Sequence, residues 1–180
     1  MRIITGLFRG RQILLPSYFQ DRPTTDMAKE SLFNIINNMF DYPQTRFLDL
    51  FSGSGSISYE MASRGCTDIT CVEANRRYCD FINKNFKAMF PQKTPARVIN
   101  GDALKFIENT PLNFDLIFAD PPYEMEGVEN IPEAVLSNSG FSDNAVLIME
   151  HSAKIRFTDL TFIKDQRHYG KVNFSFFSKD

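Results

Sequence analysis

From about residue 46 onward, short, mainly apolar runs alternate with longer stretches in which apolar residues recur every three or four positions. The runs at 47–51, 69–73, 96–100, 114–119 and 145–150 have the length of strands, the first of them a buried one. Between them, a Gly/Ser turn opens a helix that continues to about residue 63. A second helix from 76 to about 90 carries Tyr78, Ile82, Phe86 and Met89 on one side. Upstream, Pro23 opens a segment with Ala28, Leu32, Ile35, Ile36 and Met39 at helical spacing, with Thr24 or Thr25 as its cap. Residues 3–16 predict a β-hairpin or short ribbon turning near Arg9-Gly10, and the C-terminus predicts two strands paired around Tyr169-Gly170-Lys171. There is no internal repeat. Strands alternating with helices predict a parallel sheet with helices on both faces, and in such sheets ligands lie beyond the strands' C-terminal ends.

Composition narrows the setting. The 180 residues suit one domain, and 43% hydrophobic content with 18 Phe supplies a core without cross-links. Cys66, Cys71 and Cys79 are odd in number and form no CxxC pair, which favours a reducing compartment over a disulfide framework or a zinc site. The opening Met1-Arg2-Ile3-Ile4-Thr5-Gly6 has no apolar leader, and no run is long enough to span a bilayer. The expectation is a cytoplasmic protein, a monomer, with no membrane partner. A net charge of −2 gives no global sign of nucleic-acid binding. Its distribution is more informative, because residues 1–20 hold Arg2, Arg9 and Arg11 and no acid. Such a segment is either a solvated edge or a small platform for phosphates.

Three acids end successive strands. Asp49-Leu50-Phe51-Ser52-Gly53-Ser54-Gly55-Ser56 joins the first strand to a helix, and its glycines permit a sharp turn with close backbone approach to a ligand. The helix N-terminus beyond offers unpaired N–H groups. A dinucleotide loop would need a third glycine where Ser58 stands, and it would not have an acid four residues before the first. Asp49 suits a cofactor with a cationic amino-acid end, as in S-adenosylmethionine. Glu73, ending the second strand, can accept both hydroxyls of a ribose, and Asp102, followed by Ala103 after the third, can accept from an adenine amine. Phe51, Gly53, Ser54 and Gly55 complete the candidate cofactor loop.

The fourth strand ends in Asp120-Pro121-Pro122-Tyr123. An exocyclic amine on a nucleobase is a weak nucleophile because its lone pair is delocalised into the ring. A carboxylate from Asp120 and a carbonyl from Pro121 can each accept one N–H and aim that lone pair. Pro121 and Pro122 stiffen the loop, and Tyr123 offers a face on which an extruded base can stack. Methylation at a pyrimidine carbon would need a cysteine here, and the loop has none. His151 and His168, the only histidines, stand apart in sequence, so no metal is expected.

With those residues identified, the chain resembles the bacterial RsmD-type small-subunit (16S) ribosomal RNA guanine-N2 methyltransferases nearly end to end. The resemblance rests on Arg2-Ile3-Ile4-Thr5-Gly6 with Phe8-Arg9-Gly10-Arg11, on Arg22-Pro23-Thr24-Thr25-Asp26, and on Lys29-Glu30-Ser31-Leu32-Phe33-Asn34. It extends through the Asp49 loop, Glu60, Ser63-Arg64-Gly65, Asp120-Pro121-Pro122-Tyr123, Glu150-His151 and Tyr169-Gly170. Ser52 and Ser58 depart from it, standing where Ala or Gly is usual. The resemblance implies an α/β, Rossmann-like S-adenosylmethionine-dependent methyltransferase fold: a mostly parallel seven-stranded sheet with an antiparallel C-terminal strand and an N-terminal β-hairpin. It implies a hairpin over 1–20, a catalytic core over 21–180, and Arg22, Thr24 and Thr25 lying over the cofactor's amino-acid end. It also implies a basic hairpin, with Arg2, Arg9 and Arg11, that docks on 16S ribosomal RNA within a partly assembled small subunit. Adenine-N6 methylation of DNA or RNA, or a non-catalytic S-adenosylmethionine-binding assembly factor, are the alternatives.

Overall fold

The structure is a computed structural model that describes residues 1–19, 24–155, 157, 162–170 and 172–179. Its elements are α1 (Asp26–Met39), β1 (Arg46–Leu50), α2 (Ser56–Ser63), β2 (Asp68–Glu73), α3 (Arg76–Met89), β3 (Ala96–Asn100), α4 (Ala103–Asn109), β4 (Leu116–Ala119), α5 (Ile131–Leu136), β5 (Val146–His151), β6 (Ile163–Tyr169) and β7 (Val172–Phe177). The strands form one seven-stranded sheet in the order β3-β2-β1-β4-β5-β7-β6. β1 pairs in parallel with both β2 and β4, whereas β7 runs antiparallel between β5 and β6. This is the mostly parallel seven-stranded sheet with an antiparallel C-terminal strand that the resemblance implied.

Strand alternation sorts the core into two layers. Phe47, Ile69, Leu116 and Ile148 pack with residues of α1, α2 and α3 on one face. Leu48, Val72, Ile117 and Leu147 pack with α4 and α5 on the other. Asp49 shares the parity of Phe47, so its side chain enters the α1–α3 layer at the point where α2 begins. The sheet order reverses between β1 and β4, and the crevice this opens is where such folds hold ligands.

Thr25, not Thr24, caps α1, its hydroxyl accepting from the Ala28 N–H at 3.3 Å. The short helices α4 and α5, seven and six residues long, were not marked by periodicity; α4 buries only Ala103 and Ile107. Cys66, Cys71 and Cys79 are buried and unbridged. Among the described residues no helix is long and apolar enough to cross a membrane.

The predicted N-terminal hairpin is looser than a two-stranded ribbon, with a single antiparallel bridge between Arg2 and Gln12. The reason lies in its amides. Ile4 and Thr5 N–H donate to the two oxygens of Glu60 at 2.7 and 2.9 Å, and Leu7 and Phe8 N–H donate to the Ser63 carbonyl and hydroxyl at 2.7 and 3.0 Å. Cross-ribbon bonds join Met1 to Ile13 and Ile3 to Gly10 and Arg11, and beyond them the segment is bound to α2 instead. The approach needs glycine: Gly6 has φ +86°, and a Cβ there would fall 1.9 Å from the Ser63 carbonyl oxygen.

Candidate active site

β1 leads into a tightly wound loop. Phe51 adopts φ +60°, a left-handed conformation that costs a bulky residue energy, and Gly53 and Gly55 continue with φ +52° and +78°. The loop is held by Ser52 N–H to the Val72 carbonyl at 3.0 Å and Gly55 N–H to the Ser52 carbonyl at 2.7 Å. A Cβ on Gly55 would lie 3.1 Å from both Tyr59 and Ile82, so α2 can start this close to its neighbours only from glycine. The corresponding space at Gly53 is open apart from the Phe51 carbonyl at 3.8 Å.

The loop borders a cleft that joins Thr24, Asp49, Phe51, Gly53 and Ser54 to Asp120. Residues from three predicted motifs thus meet at one opening. Asp49 is 2% exposed, and its Oδ2 accepts a hydrogen bond from the Ser58 hydroxyl. Burial pushes its carboxyl up to about 7; the Glu73 charge acts in the same direction, while the Ser58 bond opposes it. Glu73 is fixed at the end of β2, accepting from Gly53 N–H at 2.8 Å through one oxygen and Asn75 N–H at 2.7 Å through the other. Asp102 caps α4, its Oδ1 accepting from Lys105 N–H at 2.9 Å, and Ala103 is buried in the α4–α5 layer. Neither lines the cleft itself.

At the end of β4, Asp120 faces the cleft, Pro121 is buried, and Pro122 and Tyr123 are exposed, Tyr123 by 66%. The loop closes with Met125 N–H donating to the Pro122 carbonyl at 2.9 Å. Tyr123 projects a large aromatic face beside the carboxyl. Its hydroxyl pKa is raised by partial burial and then by the nearby charges of Glu150 and Asp120. Thr24 donates through Oγ1 to Glu150 Oε2 at 3.0 Å, joining the start of α1 to the end of β5. Thr25 is exposed and engaged as the α1 cap, and Arg22 lies outside the described residues.

Two groups at the site were not proposed from the residues. Glu150 is 4% exposed and its carboxyl is pushed up to about 7 by burial, the Thr24 bond opposing the shift. In the sequence it stands as an acid after the apolar run 145–149, the signature that marks Asp120, and within the Glu150-His151 pair of the resemblance, which gave it no role. The second group is aromatic. Phe19 and Tyr78 stack at 4.1 Å between ring centroids and line the cleft with Phe51. Nothing in their spacing links residues 19 and 78.

The three arginines lie on the N-terminal segment, in different states. Arg2 is paired with Asp26 at 3.1 Å, Arg9 is exposed, and the Arg11 guanidinium lies over the Phe8 ring at 5.6 Å.

The family model described as conserved hypothetical protein 95 matches residues 1–178. Ribosomal RNA small subunit methyltransferase D of Haemophilus influenzae is 34% identical over 153 residues, covering 83% of this chain and 78% of that protein. Its namesake in Escherichia coli strain K12 is 31% identical over 150 residues, 83% of this chain and 74% of that protein. Among solved structures, yhhF from Escherichia coli superposes with a TM-score of 0.83 at 27% identity, covering 100% of this chain and 98% of that one. A SAM-dependent methyltransferase from Agrobacterium tumefaciens, 18% identical, shares the fold with a TM-score of 0.63 over 86% of this chain and 61% of that one. With its strand order, its cleft and a match spanning nearly all its residues, the chain belongs to the conserved hypothetical protein 95 family, the RsmD family.

Proposed function

We propose that this chain transfers a methyl group from S-adenosylmethionine to the exocyclic N2 amine of a guanine in 16S ribosomal RNA, acting on an assembling small subunit. The observation that carries the reading is one cleft that borders both the buried Asp49 carboxylate and Asp120 of the Asp-Pro-Pro-Tyr loop. The names of the relatives, ribosomal RNA small subunit methyltransferases, support the substrate class.

The residues present fit this cofactor. Asp49 is a buried carboxylate at the cleft and, among the described residues, takes part in no ion pair, which suits a ligand that brings a cation. The open space over Gly53 lets a ligand lie against the backbone. Glu73, fixed at the end of β2 by two N–H donors, is assigned to the ribose hydroxyls. Asp102 and Ala103 are assigned to the adenine end, and Arg22, Thr24 and Thr25 to the amino-acid end. When bound, the cofactor supplies an electrophilic methyl group on a sulfonium.

The protein's part is then positioning. Asp120 and the Pro121 carbonyl accept the two N–H bonds of the amine and turn its lone pair toward the methyl. Tyr123 stacks against the base. Transfer would form the nitrogen–carbon bond as the sulfonium's carbon–sulfur bond breaks, leaving S-adenosylhomocysteine; the nitrogen would become cationic and give up one proton, which Asp120 would accept. Arg2, Arg9 and Arg11 are assigned to the RNA backbone.

Labelled S-adenosylmethionine supplied with unmodified small subunits, naked ribosomal RNA and DNA tests the reading. Label is expected in guanine of the small-subunit RNA, best on the particle, and Asp120→Ala should abolish it while S-adenosylhomocysteine still binds. Label confined to adenine, or none with any substrate, would overturn the proposal.

A further inference from the structure

Asp49 is held from two sides by serine hydroxyls. Ser58 Oγ donates to its Oδ2, and Ser52 Oγ donates to its backbone carbonyl at 2.7 Å and also contacts the Val72 carbonyl at 3.3 Å. These are the two loop positions at which the chain departs from the pattern it otherwise resembles. A serine within a helix ordinarily bonds back to a carbonyl one turn earlier. Ser58 is the third residue of α2 and is completely buried, and its proton goes instead to the strand carboxylate.

The direction of that bond is set from below. Cys71 Sγ lies 3.1 Å from Ser58 Oγ. Cys71 is completely buried, and burial drives its thiol well above the ordinary range, so it is protonated and donates. With Cys71 donating to Ser58, the serine's single proton is committed to Asp49. The result is a one-way chain from Cys71 through Ser58 to Asp49. Ser52 fixes the other end of the same residue, just before the strained turn at Phe51.

We propose that Ser58 and Ser52 form a clamp that keeps Asp49 aimed at the cleft as an ionised acceptor for the cationic amino-acid end of the cofactor, with Ser58 as the positioning residue. The inference rests on the reading that this cleft takes S-adenosylmethionine. The surroundings explain why a clamp is needed. Facing Asp49 are Glu73 and Cys71 from β2, and Ser58 and Tyr59 from α2, while Asp120 borders the same cleft at the end of β4. All of these are anionic or neutral. Burial and Glu73 both favour the protonated carboxyl, and Ser58 is what opposes them. A protonated Asp49 would lose its attraction for an ammonium group. The clamp therefore sets the lower pH limit of cofactor binding.

The test is calorimetric binding of S-adenosylhomocysteine, which carries the amino-acid end, beside 5′-methylthioadenosine, which lacks it, from pH 6 to 8.5. For Ser58→Ala, S-adenosylhomocysteine affinity should fall about tenfold at pH 7 and recover toward wild type as pH rises. Affinity for 5′-methylthioadenosine should stay within about twofold at every pH, because that ligand does not reach Asp49. Cys71→Ala, which releases the Ser58 proton from its commitment, should shift the profile in the same direction by less. Equal loss for both ligands, a loss that pH does not modulate, or no loss in either variant would overturn the clamp. A wild-type chain that binds neither ligand would overturn the cofactor reading itself, a distinct result.

Discussion

Asp49 and Glu150 stand in the same electrostatic situation, buried carboxyls at strand ends whose pKa values burial pushes up to about 7. A carboxyl that binds its proton more tightly when folded contributes stability that is complete below its unfolded pKa. That contribution is lost as pH rises through the folded value. For Asp49 the window runs from 3.8 to about 7. Above it the folded protein carries the whole penalty of a buried charge, on the order of 4 kcal/mol for such a shift. Asp49→Asn should therefore flatten the fall in thermal midpoint between pH 5 and pH 8 while abolishing S-adenosylhomocysteine binding. Glu150→Gln should flatten the same fall over its own window. The lowered pKa of His151 has the opposite sign and is present in wild type and Asp49→Asn alike, so it cancels from their difference. Equal slopes for wild type and Asp49→Asn would show that Asp49 is not charged at a cost. Asp49 was legible in the sequence because its chemistry follows from position, an acid before a glycine loop. Ser58 and Glu150 were not legible as partners, because Ser58 gains its meaning from a strand residue nine positions away and Glu150 from Thr24, 126 positions away.

At the scale of elements, α2 joins the site to the N-terminal segment. All eight of its residues are buried, so it shows no polar face to mark its orientation in the sequence. Its start continues the Gly53–Gly55 loop, and its far turn presents Glu60, which accepts from Ile4, Thr5 and Arg64. Lys29 of α1, also buried, donates to the Arg2 carbonyl at 2.6 Å and the Ser56 hydroxyl at 3.2 Å, and lies 3.8 Å from Glu60. Burial lowers the Lys29 pKa, and Glu60 is the strongest influence holding it up. Glu60→Ala removes that counter-charge and leaves two amides without their acceptor, a loss of about 3–5 kcal/mol. Hydrogen exchange at the Ile4 and Thr5 amides should accelerate together with a drop in thermal midpoint. Exchange unchanged at those amides would mean that other contacts hold the segment. Sequence reading recovered the seven strands, five as short, mainly apolar runs and the last two as a pair around a Tyr-Gly turn. It expected a paired ribbon at the N-terminus because alternation within residues 3–16 says nothing of acceptors waiting on α2.

For the whole molecule, strand order does what no local segment can: it sets β1 beside β4, so that acids 71 positions apart, Asp49 and Asp120, border one cleft. The N-terminal segment packs on the α1–α3 layer, the same layer that Asp49 enters. A net charge of −2 does not oppose RNA docking there, because charges beyond about 8–10 Å are screened at physiological salt. What matters is the local face, where among the described residues no ion pair involves Arg9 or Arg11, and Leu7 and Leu14 are 76% and 83% exposed beside them. Arg2, partly neutralised by Asp26, should contribute less. Reversing both charges, Arg9→Glu with Arg11→Glu, should weaken binding to small-subunit RNA and reduce the slope of log affinity against log salt by about two. S-adenosylhomocysteine affinity should be unchanged, since neither side chain borders the cleft. An unaltered salt slope would move the docking surface elsewhere, whereas a loss of cofactor affinity would show that the segment couples to the Asp49 loop through α2.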